Sequence, residues 1–100
     1  GAVPRHMLFH AGPVDVDLRL SPLGEGYAVS GQVLGTSEAA QMEWWPLSQA
    51  EEASPARRFA SDELGGFHLE DVEPGRYELR IAIGADHIVL APIELGGEAD

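Results

Sequence analysis

Ser61–Ile83, SDELGGFHLEDVEPGRYELRIAI, decides the fold. Phe67 and Leu69 alternate with His68 and Glu70, the period-2 pattern of a half-buried strand. Glu73-Pro74-Gly75 follows as a turn, because proline presets φ near −65° and glycine accepts the positive φ of a type II turn. Tyr77, Leu79, Ile81 and Ile83 then alternate with Glu78, Arg80 and Ala82. The stretch reads as a hairpin of two strands, with the rest of the chain arranged as further strands around it.

Upstream, Val14, Val16, Leu18 and Leu20 share one strand face, and Asp15, Asp17 and Arg19 share the other. Burying each of those four apolar side chains is worth roughly 1.5–3 kcal/mol. The charged face is also a device against edge-to-edge pairing. Tyr27–Leu34 is the next strand, and Gly31 at its middle predicts a bulge or the close approach of a neighbour. In Gln41–Leu47 the tandem Trp44-Trp45 must point to opposite faces. One is a core anchor, and the other lies on a surface, an edge or an interface. Arg57–Ser61 is a short strand around Phe59, and His87–Leu95 is the last, interrupted by Pro92. Ser48–Ala56 is polar and reads as a mobile loop, with room for one helical turn.

These are seven strands at spacings of about 8–14 residues with turn signals between them, and no sustained 3.6-residue stripe, as in an all-β sandwich. Residues 14–95 form the single domain. Residues 1–13, with Met7-Leu8-Phe9 between Pro4 and Pro13, are either an edge strand or a lead-in from an upstream domain. Residues 96–100 are a glycine-rich, acidic tail expected to fray.

Composition narrows the function. The 100 residues suffice for one core, and 44% are hydrophobic. Cysteine is absent, which excludes disulfides, thiolate metal sites and cysteine nucleophiles. Lysine is absent too, and 17 acids against six arginines give a net charge of −11. Such a field repels phosphate backbones, so neither nucleic acid nor an anionic membrane surface is an expected partner. No apolar run approaches the roughly 20 residues of a membrane span. The first residues lack the basic-then-apolar pattern of a secretory leader.

From Val29 onward the signals form a recognisable order: V-x-G-x-V at Val29–Val33, a tryptophan-bearing strand, and a D-x-x-G-x-F element at Asp62…Gly65-Gly66-Phe67 with one extra residue. V-x-P-G-x-Y-x-L closes it at Val72–Leu79. Over about two-thirds of the chain this resembles the carboxypeptidase regulatory-like domain of the transthyretin-like superfamily. The resemblance implies a seven-stranded, Greek-key, transthyretin-like or Ig-like β-sandwich that serves as a non-catalytic attachment to a larger protein. It supplies no reaction. Relatives with known chemistry do not fit. Adhesin stalks cross-link Lys to Asn or Asp, and this chain has neither Lys nor Asn. The purine-pathway hydrolases end in Y-R-G-S, whereas this chain ends in GGEAD. Intradiol dioxygenases use two Tyr and two His, and no spacing here selects such a set from Tyr27, Tyr77 and the four histidines.

Individual side chains offer a few chemical candidates. His6 and His10, four apart, share a face but fall short of the three or four ligands of a zinc site. His68 reads as a solvent-facing cross-strand residue, and His87 as a residue just after a turn. Asp62-Glu63 and Glu70-Asp71-Glu73 flank the expected hairpin as a calcium candidate, without the spacing of an EF-hand. Ser30 lies inside a strand, the wrong setting for an exposed nucleophile. Trp44 and Trp45 are the foremost binding candidates, as an anchor for another protein or a stacking platform for sugar. The expected function is a non-catalytic interaction or spacer module contacting a protein partner or neighbouring domain, with no cofactor. The alternative is a carbohydrate-binding module using Trp44 or Trp45.

Overall fold

The computed structural model describes residues 4–47 and 55–96. Eight strands follow in order: β1 (Arg5–Ala11), β2 (Val14–Leu23), β3 (Gly26–Leu34), β4 (Gln41–Pro46), β5 (Arg57–Ala60), β6 (Gly66–Val72), β7 (Gly75–Ile83) and β8 (Asp86–Leu95). They form two antiparallel four-stranded sheets, here sheet A in the order β1-β2-β3-β6 and sheet B in the order β5-β4-β7-β8. The expected β-sandwich is present, with eight strands in place of seven. The additional one is β1, which pairs with β2 from Arg5↔Leu20 to Ala11↔Val14. β2 is consequently an interior strand, so its charged face does not guard an edge. Of the expected loop over residues 48–56, residues 48–54 lie outside the described residues, as do residues 97–100 of the expected tail over 96–100.

Hairpins follow from local chemistry. Ala11↔Val14, Leu23↔Gly26 and Ile83↔Asp86 close two-residue turns, each led by a glycine with φ near 60°. The stretch Ser61–Ile83 behaves differently from the expected hairpin. β6 pairs with β3 in sheet A, whereas β7 pairs with β4 and β8 in sheet B. Glu73-Pro74 therefore carries the chain across the core from one sheet to the other. Gly75, at φ 156°, is not the αL residue of a type II turn but the extended start of β7. Val72 and Tyr77 face each other's layer from opposite sheets, and both are buried.

The core takes Val14, Val16, Leu18 and Leu20 from β2 and Tyr77, Leu79, Ile81 and Ile83 from β7, none more than 5% exposed. Two bulges preserve the inward phase at the edges. Opposite Ala28, β6 places both Glu70 and Asp71, the latter at φ 56°, so Leu69 and Val72 both face inward although three apart. Opposite Glu78, β8 places Ala91 and Pro92, so Leu90, Ile93 and Leu95 remain in the core. Pro92 has no N–H to lose on an edge strand. Two arginines tie the sheets together at their open sides. Arg57 of β5 donates to the carbonyls of Glu70 (2.5 Å) and Asp71 (2.6 Å) in the β6 bulge. Arg5 of β1 donates to the Glu94 carbonyl of β8.

Tyr77 fixes the crossing between the sheets. Its ring stacks on Trp44 with centroids 4.8 Å apart, and its hydroxyl donates to the Glu73 carbonyl at 2.7 Å. Burial pushes this phenol above its ordinary value near 10; the Glu73 carboxylate raises it further, and Arg57 partly offsets the two. A raised folded value means that the unfolded chain ionises first. The contribution is therefore whole below about pH 10 and is lost as pH rises through the folded value. The chain has no lysine or cysteine, so neither residue type contributes to the change of stability in this alkaline range. Melting temperatures followed with phenolate absorbance should show an alkaline loss of stability that begins near pH 10. Tyr77→Phe should cost about 1 kcal/mol at neutral pH and flatten that alkaline limb. Identical limbs in the two proteins would exclude Tyr77 as its source.

A candidate interaction face on sheet B

Strand parity separates the tandem tryptophans. On β4, Met42 and Trp44 point into the core, and Trp44 is only 2% exposed. Trp44 is thereby withdrawn from any ligand. Its indole N–H has no hydrogen-bond partner among the described residues, so its place rests on packing and on the Tyr77 stack. Trp45 points outward, half-buried, and its setting is built by cross-strand neighbours. Register pairs Trp45 with Glu78 and Glu43 with Arg80 on β7, and Glu43 with Arg58 on β5.

The side chains on this face hold one another. The Arg80 guanidinium lies over the Trp45 ring, 4.2 Å from its centroid, and also meets the Glu78 carboxylate. Trp45 Nε1 donates to Glu43 Oε1 at 2.8 Å, and Arg58 Nε reaches Glu43 Oε2 at 3.0 Å. An exposed ion pair of this kind contributes little to stability by itself. Here the pairs fix the indole in one orientation, so little side-chain freedom would be lost on binding.

Beside the tryptophan runs a groove of about 570 Å³ across all four strands of sheet B. Register sets Ala60, Gln41, Ala82 and His87 in one row, and the two alanines leave its floor low. Arg58, Glu43, Arg80 and Val89 form the next row. Val89 is 59% exposed, an apolar side chain open to solvent. With Glu43 and Glu78 each bound by an arginine, this face is close to charge balance on a chain of net charge −11. Self-repulsion is weakest on such a face.

The remaining candidates are dispersed. His6 and His10 occupy the outer face of sheet A, where four residues of strand separate them by roughly 13 Å. Each has its own carboxylate, His6 with Asp17 at 2.6 Å and His10 with Asp15 at 2.7 Å. Among the described residues, no three His, Asp or Glu side chains gather as a metal-ligating group. The two acidic clusters sit at opposite ends of β6 and do not converge as the calcium candidate requires. Asp62 is used within its own turn, its Oδ1 accepting from the N–H groups of Leu64 (2.9 Å) and Gly66 (2.8 Å). Tyr27 and Tyr77 are buried, whereas the histidines lie on outer sheet faces, so no Tyr/His iron set assembles. Register does set Ser30 opposite His68, whose Nε2 meets Glu70 at 2.8 Å. No hydrogen bond joins Ser30 to His68 among the described residues, and both lie on an open strand face.

Sequence reading missed Arg58, Arg80, Glu43 and His87 as members of one face. Their outward parity was readable; their adjacency required the strand order. No helix of the described residues is long and apolar enough to cross a membrane. Comparisons with family models, curated proteins and solved structures found nothing that matches this chain.

Proposed function

We propose that the chain is a non-catalytic β-sandwich module that contacts a protein partner or neighbouring domain through the outer face of sheet B. The observation that carries this reading is Trp45, pre-ordered between Arg80 and Glu43 at the side of an open groove on a charge-balanced face. Tryptophan and arginine fixed in place are the side chains that dominate protein interfaces. We also propose a Greek-key, Ig-like connectivity of the carboxypeptidase regulatory-like kind. It is supported by the three crossings between sheets, by the buried Trp44 and by the Tyr77 hydroxyl bonded four residues upstream. Carbohydrate binding is the second reading. Against it, the Arg80 guanidinium already occupies one face of the indole that a sugar would stack on.

A photo-crosslinking residue at Val89, on the sheet B face, compared with one at Leu34, on sheet A, tests the reading. The partner should be trapped from position 89 only. Trp45→Ala should reduce trapping by about tenfold or more while melting is unchanged. Equal trapping from both faces would overturn the proposal. Binding on a glycan array that is lost with Trp45→Ala would transfer the site to carbohydrate.

A further inference from the structure

Among the described residues, β1, β6, β5 and β8 form the open sides of the sandwich, and three of these four strands carry features that hinder pairing with another chain. β5 has only four residues. β6 is bent by its bulge, whose carbonyls are taken by Arg57. β8 carries Pro92 within a bulge. β1 has none of these devices. Its seven residues keep unbroken register with β2 and contain no Pro, Gly or Lys.

The side chains of β1 are also incompletely covered. Met7 and Phe9 point inward and pack on the core but remain half-buried, whereas Val16 and Leu18 across from them are 0% exposed. Leu8, on the outer face, is 54% exposed. The stretch His6-Met7-Leu8-Phe9-His10 reads alike in both directions: histidine, apolar, leucine, apolar, histidine. Run antiparallel to its own copy about a two-fold axis at Leu8, it sets leucine against leucine, Met7 against Phe9, and His6 against His10. β1 contains no acid, so two copies of this acidic chain would meet at a strand that does not add to their repulsion.

We propose that the free edge of β1 pairs antiparallel with β1 of a second copy, two-fold at Leu8, joining two four-stranded sheets into one of eight. Backbone hydrogen bonds supply the attraction, and the palindromic side-chain order supplies the self-complementarity that an isologous contact demands. The contact is one strand wide and about 24 Å long, a seam that buries less surface than the roughly 1,200 Å² of a standard stable interface, so the dimer is weak and depends on concentration. This inference is independent of the sheet B face, which stays open in such a dimer.

Sedimentation between about 10 μM and 1 mM should show a monomer–dimer equilibrium that Leu8→Glu shifts to monomer by tenfold or more. Val89→Glu should leave it unchanged. Because the chain is cysteine-free, single cysteines report register directly. Opposed residues of an antiparallel pair have Cα atoms about 4.5–5.5 Å apart, within disulfide range. Leu8→Cys should therefore oxidise to a covalent dimer far faster than Leu34→Cys, and a mixture of Met7→Cys and Phe9→Cys copies should cross-link faster than either alone. A wild-type chain that stays monomeric throughout, or equal oxidation at positions 8 and 34, would overturn the proposal, including where Leu8→Glu fails to fold.

Discussion

Gly31→Ala should destabilise the domain by about 3 kcal/mol or more, a fall in melting temperature of roughly 12–24 °C for a chain of this size. Gly31 sits in the middle of β3, on its core-facing parity between Val29 and Val33, with Leu18 and Phe67 as its cross-strand neighbours. A Cβ there would lie 2.1 Å from the Asp17 carbonyl oxygen and 2.7 Å from Cζ of Phe67. The phenylalanine ring could swing aside, but the carbonyl belongs to the backbone of an interior strand and cannot. Relief requires β2 and β3 to part, which breaks the ladder at the centre of sheet A. The whole stability of such domains is about 5–15 kcal/mol, so a single methyl group removes a large share of it. Thermal melting and chemical denaturation check this, and a loss below about 1 kcal/mol would mean that the two strands separate far more easily than their register suggests.

The second large effect separates neighbours in sequence. Trp44→Ala should cost about 3–5 kcal/mol, whereas Trp45→Ala should cost less than about 1 kcal/mol. Trp44 is among the largest fully buried side chains, and its removal leaves a cavity beside Tyr77, whose ring then loses its stacking partner. Trp44→Phe should recover more than half of the loss, because phenylalanine keeps an aromatic ring there and removes the indole N–H that has no partner among the described residues. Trp45→Ala deletes a half-buried ring whose contacts are Arg80 and Glu43, both in reach of water. Melting curves of the three variants provide the measurement, and equal losses at 44 and 45 would contradict the assignment of faces. The contrast also makes Trp45→Ala a clean probe of binding, since its fold should persist.

Much of this architecture is legible in the chain itself. The alternation in Val14–Leu20 and Tyr77–Ile83 marks inward and outward faces, and those faces are the ones observed. Gly31 announces a bulge or a close approach, because a mid-strand position without a side chain needs a reason, and the close approach is the one observed. The opposite orientation of Trp44 and Trp45 follows from the pleat alone. Bulges leave a fainter trace: Leu69 to Val72 and Leu90 to Ile93 are apolar steps of three where two is the rule, and Glu70-Asp71 and Ala91-Pro92 are the residues left over.

What the chain does not contain is which strand lies beside which. Phe67-x-Leu69 and Tyr77-x-Leu79 separated by Pro74-Gly75 have the same period-2 signature whether they pair edge to edge or face each other across a core. The pattern records which side of a strand is dry and carries nothing about where its backbone hydrogen bonds go. Ser61–Ile83 therefore identifies two strands and their core residues from sequence, but not the nature of the link between them. Only the tertiary structure turns that hairpin into a crossing between sheets, because β3 claims the edge of β6 while β4 and β8 claim both edges of β7. The interaction face has the same origin. Trp45 and Arg80 lie 35 positions apart in sequence, and they meet because β4 and β7 are neighbours in sheet B. Alternation, set by the local pleat, determines the faces of each strand, whereas strand order is set by how the whole chain closes over one core.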